Sequence, residues 1–141
     1  PGDLISAENG WFVNKLHPTK TDNWLPLTEK KSITMEGMQS RCAVPPSSPW
    51  FSGHFPGFPL LPGIAQLYMA FRAVQETESG RGRTVSLQGF KRIRFRKIIA
   101  PGDAMDLSVT RDAQGDNRYS FSITVGGETA SSGTIIIKDA E

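Results

Sequence analysis

His54 is the residue with the clearest potential for chemistry, and it lies in the stretch GHFPGFPLLPG at residues 53–63. An imidazole titrates near neutrality, so His54 could serve as a general base. A helix is predicted to begin just after it, near Gly63, and the unpaired N–H groups at a helix start can polarise a carbonyl. A base beside such groups suits removal of a proton α to a carbonyl. The spacing equally allows a histidine that only stabilises the turn by hydrogen bonding.

The helix that must position this turn is predicted from Pro62–Gly63 to about Glu78. Proline is tolerated in a first helical turn because its missing N–H would be unpaired there anyway. Over residues 64–74 only Gln66 and Arg72 are plainly polar. A helix that is apolar nearly all round is predicted to be buried.

The rest of the chain is predicted to be mainly extended. A hairpin is expected over residues 32–44 with a turn at Glu36-Gly37, followed by a proline-rich loop at 45–49. Four strands with short connections are predicted after the helix, at residues 84–99, 104–111, 117–126 and 128–138. Consecutive strands with short turns indicate an antiparallel meander. We therefore predict an α+β class, with a buried helix wrapped by an antiparallel sheet in a single domain over residues 1–141 and no structure assigned to 1–31.

Composition narrows the classes of function. A chain of 141 residues fits one domain, and no apolar run approaches the ~20 residues needed to cross a bilayer. Cys42 is the single cysteine, so an internal disulfide is excluded and zinc coordination with only His17 and His54 is not expected. The sequence has no secretory-type beginning, and a cytoplasmic location is expected. Motifs for a serine nucleophile elbow, a phosphate loop or a carboxylate-bound metal are missing.

A basic segment, KRIRFRK at residues 91–97, carries much of the positive charge in a chain whose net charge is only +2. Alternation predicts Ile93 and Phe95 on one face of a strand and the arginines on the other. The arginines Arg92, Arg94 and Arg96 could dock an acidic partner, or they could form an ordinary solvated face. Nucleic acid is the weaker candidate because no aromatic residues interleave on the arginine side.

Two ordered motifs resemble those of the β-hydroxyacyl-acyl-carrier-protein dehydratases. PWFSGHFPGFPLLPG is similar to the family motif F-F-x-G-H-F-P-G-x-P-V-M-P-G, and FKRIRFRKIIAPGDAMDLSV is similar to K-x-R-F-R-x-P-V-x-P-G-D. The resemblance covers about residues 32–138. It implies the hotdog fold, a long helix wrapped by an antiparallel sheet, in protomers that pair with each active site at the dimer interface. It also implies dehydration of (3R)-3-hydroxyacyl thioesters to trans-2-enoyl thioesters.

The resemblance implies a role for each matching position. His54 matches the catalytic histidine, and Gly63 matches the glycine whose backbone N–H binds the thioester carbonyl. Phe55, Pro56 and Gly57 match the turn that shapes the substrate site, and Leu60, Leu61 and Pro62 match the V-M-P that follows. Leu61 is expected to contact substrate together with the three turn residues. The substrate would be carried on the phosphopantetheine of an acyl-carrier protein or of coenzyme A, with no cofactor and no metal.

One catalytic position departs from the family pattern. The family has a Glu or Asp five residues after the helix-start glycine, where this chain has Tyr68, and the usual Gln four residues later is Arg72. Tyr68 could replace the acid, since a neutral phenol can donate a proton. Alternatively, a paralogue could supply the carboxylate in a heterodimer, or dehydration could be lost in favour of carrier binding or thioester hydrolysis. Tyr68 could also be a packing residue, and Arg72 a charge that reaches the surface.

Overall fold

The computed structural model describes residues 5–6, 26–51, 60–113, 115 and 117–140. In this part of the chain one α-helix, α1, spans Gly63–Gly80 and a single 3-10 turn spans Pro49–Phe51. The strands are β1 Ile5–Ser6, β2 Leu27–Ile33, β3 Gly37–Ala43, β4 Val85–Phe95, β5 Met105–Arg111, β6 Arg118–Val125 and β7 Glu128–Asp139. The prediction of one domain over residues 1–141 stays a prediction.

Helix α1 lies in the core, as its composition predicts. Its residues Ala65–Phe71 are all buried, and so are Ala73 and Val74. The helix packs against β3, β4, β5 and β6. No helix in the described ranges is long and apolar enough to cross a membrane. The apolar sequence is therefore explained by burial against a sheet.

The described strands form one antiparallel sheet in the order β1-β4-β7-β6-β5-β3-β2. The α+β prediction of a helix wrapped by an antiparallel sheet is confirmed. The meander prediction is wrong for β4 and β5, because β4 pairs with β7 and β5 pairs with β3. Among the strands that follow the helix, only β5, β6 and β7 are joined as consecutive neighbours. The nine-residue connection that begins at Arg96 lets the chain cross from one side of the sheet to the other.

The predicted hairpin is present, but its first strand begins earlier. β2 starts at Leu27 and pairs with β3 to Ile33, and the turn closes with the Thr34 N–H donating to the Gly37 carbonyl at 2.8 Å. Residues 28–33 of β2 are all exposed. An edge strand with no buried face shows no alternation of apolar residues, so the sequence pattern could not reveal its start.

Strand β4 contains a bulge in the middle of the basic segment. Arg92 has φ of 56°, and the pairing with β7 shifts between Lys91 and Arg94. Opposite the bulge, a Cβ placed on Gly133 would lie 2.5 Å from the Ile93 side chain. The glycine thus makes room for Ile93, and the predicted strict alternation along the arginines is broken at this point.

Candidate active site

The start of α1 leaves backbone donors available. Pro62 occupies the position before the helix and provides no side-chain cap. The N–H groups of Ala65 and Gln66 donate to the Pro62 carbonyl at 3.0 and 3.3 Å. Among the described residues no acceptor faces the N–H groups of Gly63 and Ile64. Within the described part of the chain, two donors with partial positive charge are therefore available to bind an oxygen atom.

Phe95 covers the helix start from the end of β4. A Cβ added to Gly63 would lie 2.6 Å from the nearest carbon of the Phe95 ring, too close for any side chain unless the ring moves. Phe95 is 50% exposed, so it contacts the helix while part of its surface meets solvent. Sequence analysis assigned Phe95 only to a strand face. Its place in the R-F-R motif was the available signal.

The segment leading into α1 is held by backbone and amide contacts. The Leu61 N–H donates to the Ile99 carbonyl at 2.7 Å, and Gln66 Nε2 donates to the Leu61 carbonyl at 3.3 Å. Leu61 is buried in the core with 2% exposure. Its predicted contact with substrate is not tested by this placement. Gln66 Oε1 is buried and has no partner among the described residues.

The turn that carries the predicted base lies outside the described residues. This applies to His54 and to the predicted substrate-contacting residues Phe55, Pro56 and Gly57. Described chain brackets the turn at Phe51 and at Leu60. The roles assigned to these four residues therefore stay predictions.

Tyr68 lies in the interior, in the second turn of α1. It has no exposed surface, and its ring centroid is 5.8 Å from that of Trp50 with the planes tilted by 57°. This is the packing arrangement that aromatic pairs favour. One turn further along, the Arg72 guanidinium is half-buried and donates from Nη1 to Gln75 Oε1 at 3.3 Å. The proton-donor role of Tyr68 stays a prediction.

The three arginines of the basic segment are all exposed. Arg92 lies in the bulge, Arg94 lies in β4, and Arg96 follows the strand with its N–H donating to the Ala130 carbonyl at 2.7 Å. The neighbouring Lys97 forms an ion pair with Glu128 at 2.8 Å. The same pairing keeps the pKa of the Glu128 carboxyl below its usual value. The arginines therefore present positive charge to solvent next to the half-exposed Phe95.

A second polar cluster, which sequence analysis missed, surrounds the last turn of α1. The Glu78 carboxylate is fully buried and accepts a hydrogen bond from the Tyr119 hydroxyl. Its oxygens also lie near three guanidinium groups, those of Arg83 at 3.4 Å, Arg81 at 3.7 Å and Arg111 at 3.9 Å. Burial, and then the hydrogen bond to Glu78, raises the pKa of Tyr119. Tyr119 and Arg111 lie more than 30 residues from Glu78 along the chain, so no local sequence pattern indicated this cluster.

Comparison with known proteins identifies the family of this chain. The family model of the ApeI dehydratase, described as ApeI-like, matches residues 29–134. The chain belongs to the ApeI-like dehydratase family. It is 34% identical over 139 residues to a 3-hydroxyacyl-[acyl-carrier-protein] dehydratase FabZ from Rickettsia massiliae, with 92% of each chain covered. The predicted family is thereby confirmed.

Solved structures agree on the fold of this ApeI-like chain. The dehydratase heterocomplex ApeI:P from Xenorhabdus doucetiae matches with a TM-score of 0.69 and 24% identity, over 79% of this chain and 96% of that one. An uncharacterised protein from Erwinia carotovora matches with a TM-score of 0.67 and 29% identity, over 81% and 96% of the two chains. The predicted hotdog fold is confirmed.

In the described part of the chain no three His, Cys, Asp or Glu residues converge as metal ligands.

Proposed function

We propose that this chain dehydrates (3R)-3-hydroxyacyl thioesters to trans-2-enoyl thioesters in fatty-acid or polyketide-type biosynthesis, polyenes being one such product. Family membership and the relatives named as 3-hydroxyacyl-carrier-protein dehydratases support the reaction type. The observation that carries the proposal is the start of α1, where two N–H groups lack an acceptor among the described residues. Such donors are suited to a thioester oxygen on which negative charge develops.

The proposed step uses one base and one carbonyl site. His54 removes a proton from C2, the carbonyl oxygen gains negative charge against the Gly63 N–H, and the C3–O bond breaks as the enoyl double bond forms. The departing hydroxyl takes up a proton and leaves as water. That last proton requires a donor, because the family's helix carboxylate is replaced by Tyr68 in this chain.

Two sources of the donor are proposed. One is a second, paralogous chain that contributes a carboxylate across a mixed interface. It is favoured by the likeness to a dehydratase described as a heterocomplex and by the full burial of Tyr68 within its own protomer. The other is Tyr68 itself in a homodimer. A phenol is neutral at pH 7, so its hydroxyl is chemically able to donate.

Turnover of purified protein tests the reaction and separates the donors. The chain alone is incubated with 3-hydroxyacyl and with enoyl thioesters, and dehydration, hydration and free thiol are measured in the same samples. If Tyr68 is the acid, Tyr68→Phe lowers the rate, by about 10²–10⁴-fold for a lost acid–base group. If only the carboxylate is missing, Tyr68→Glu raises the rate. An inert wild type and an inert Tyr68→Glu would remove the self-sufficient enzyme and leave the partner subunit, whereas thiol release would identify a thioesterase.

We also propose that the substrate arrives on an acidic acyl-carrier protein, or on coenzyme A, and that Arg92, Arg94 and Arg96 dock the carrier. All three are exposed and lie within three residues of Phe95, whose ring contacts the helix start, and this supports the assignment. The double variant Arg94→Glu/Arg96→Glu should weaken carrier binding, and the loss should shrink as salt rises because exposed charges are screened over about 8–10 Å. Arg118→Glu/Lys138→Glu, which reverses two exposed charges on β6 and β7, is the matched control. Equal affinity of the Arg94/Arg96 variant and wild type would reduce the arginines to a solvated face.

Pairing of protomers is proposed through the free edge of the sheet. β1 pairs only with Phe90 and Gly89 of β4, so residues 91–95 have no strand on that side within the described chain. Proteins normally cover such an edge. We expect a two-fold dimer, homomeric or with a paralogue, that joins two sheets edge to edge. A stable monomer at micromolar concentration in sedimentation experiments would contradict it.

A further inference from the structure

A cavity of about 410 Å³ lies between α1 and the β2–β3 hairpin, bounded at one end by the start of β4. Its floor is apolar and consists of core side chains, among them Met38, Met69, Ala73 and Leu107. Its rim is polar and includes the exposed residues Lys31, Glu76 and Ser79. Cavities of roughly 300–1,000 Å³ with an apolar lining and a few polar groups are typical of small-molecule sites.

The charges around this cavity are unevenly compensated. Lys31 and Glu76 neutralise each other, since Lys31 Nζ lies 2.9 Å from both Glu76 carboxylate oxygens. Arg83 is engaged by Asp139 at 2.7 Å and by Glu78. Arg72, which also lines the cavity, has only the neutral amide of Gln75 as a hydrogen-bond partner among the described residues. Within the described part of the chain, one guanidinium therefore remains without a counter-charge.

From this pattern we infer that the cavity binds an aliphatic monocarboxylate, with the chain on the apolar floor and the carboxylate against Arg72. A planar guanidinium matches a carboxylate in a two-point hydrogen-bonded pair, which an ammonium does not reproduce. Because Arg72 is the one lining guanidinium without a counter-charge among the described residues, we expect the ligand to carry one anionic group. The apolar floor predicts that affinity grows with the length of the alkyl chain, by up to about fourfold for each methylene buried. The inference does not depend on the proposed dehydration step.

Calorimetric titration of the assembled protein tests the inference with octanoate, hexanoate and octan-1-ol below their aggregation concentrations. Octanoate should bind more tightly than hexanoate, because it buries two more methylenes, and more tightly than octan-1-ol, because only the carboxylate pairs with Arg72. Arg72→Gln should weaken octanoate binding about tenfold or more, the usual loss for a charge-assisted hydrogen bond. The same substitution should leave octan-1-ol unchanged. Arg72→Lys should fall between, since charge is kept and the fork is lost.

Arg118→Gln is the matched control, because it removes one exposed arginine on β6 away from the cavity. Circular dichroism would verify that each variant is folded. Ser79→Trp, at an exposed rim position, should block entry without altering the core. The inference is overturned if folded wild type gives no binding, if octanoate and octan-1-ol bind equally, or if Arg72→Gln and Arg118→Gln behave alike. His54→Ala should bind octanoate with the wild-type affinity, because the inference assigns His54 no part in this cavity. Octanoate binding therefore tests the cavity, and dehydration rates test the dehydratase proposal.

Discussion

The two ends of helix α1 are built on opposite principles. At the first turn, Gly63 and Ile64 have N–H groups without an acceptor among the described residues, no side chain caps the helix, and Gln66 Oε1 has no partner in the same part of the chain. At the last turn, the Glu78 carboxylate has a tyrosine hydroxyl and several guanidinium groups around it. The first turn therefore has donors available for a ligand among the described residues, whereas the Glu78 carboxylate of the last turn is already paired within the protein.

The cluster at the last turn also explains how a carboxylate can be buried there. A negative charge at a helix C-terminus is opposed by the helix dipole, and a buried charge requires close partners. Arg81, Arg83 and Arg111 provide them while keeping part of their side chains exposed, 16–24% in each case. Arg81 also donates to the Met35 carbonyl in the β2–β3 turn at 3.4 Å. The cluster thus ties the end of the helix to the sheet.

The largest expected effect concerns the first end. His54→Ala should lower dehydration and hydration rates by about 10²–10⁴-fold, because a general base is removed. The midpoint of urea unfolding should stay at the wild-type value, since the main stabilising cluster lies at the other end of α1. Rates at saturating thioester concentration check the loss of activity, and urea titration of the same preparation checks the unchanged stability. A large fall in stability would mean that His54 is a structural residue of the turn.

Glu78→Gln is expected to have the converse effect. The amide keeps the size and an acceptor for Tyr119, but it leaves the surrounding guanidinium groups without their buried counter-charge. Removal of one partner from a buried ion pair costs about 3–5 kcal/mol, and the partial exposure of the arginines places this site near the lower end, at about 3 kcal/mol. Urea unfolding measures the loss. A variant as stable as wild type would show that the cluster does not hold the helix end.

Gly63→Ala tests whether Phe95 and the free N–H groups act together. The new methyl group collides with the Phe95 ring, which can swing toward solvent because it is already half exposed. Stability should change little, since alanine favours the helix while the ring loses contact. The rate should fall by up to about 10²-fold, as small displacements of a binding group can cause. Gly63→Ala/Phe95→Leu should recover part of the rate if the collision is the cause, and no recovery would exclude it.

Tyr119→Phe should produce the smallest change and give it a pH dependence. Loss of the hydrogen bond to buried Glu78 should destabilise the fold by about 1–3 kcal/mol at neutral pH. The pKa of Tyr119 is raised in the folded state, so its contribution is complete below the ordinary tyrosine pKa of about 10 and declines as pH rises above it. The difference between wild type and variant in urea unfolding should therefore narrow above pH ~10. A constant difference would show that the folded-state pKa is not raised.

Sequence patterns predicted the elements whose residues carry a local signal. The buried helix followed from its nearly uninterrupted apolar run, and β5, β6 and β7 followed from extended stretches separated by short connections. The edge strand β2 was placed too late, because a strand exposed at every described position has no alternation to detect. The bulge at Arg92 was missed for a related reason, since it depends on the space left by Gly133 on another strand.

For the site, the sequence alone determined the family, the fold, the helix start at Gly63 and the replacement of the family carboxylate by Tyr68. These follow from residues close together in the chain, where motif and spacing are visible. Only the tertiary structure decided that β4 pairs with β7, that Phe95 lies on Gly63 from 32 residues away, and that Glu78 meets Tyr119 and Arg111. Each of these contacts depends on the order in which strands pair. That order is chosen by burial of the whole sheet against α1, a property that no short stretch of sequence carries.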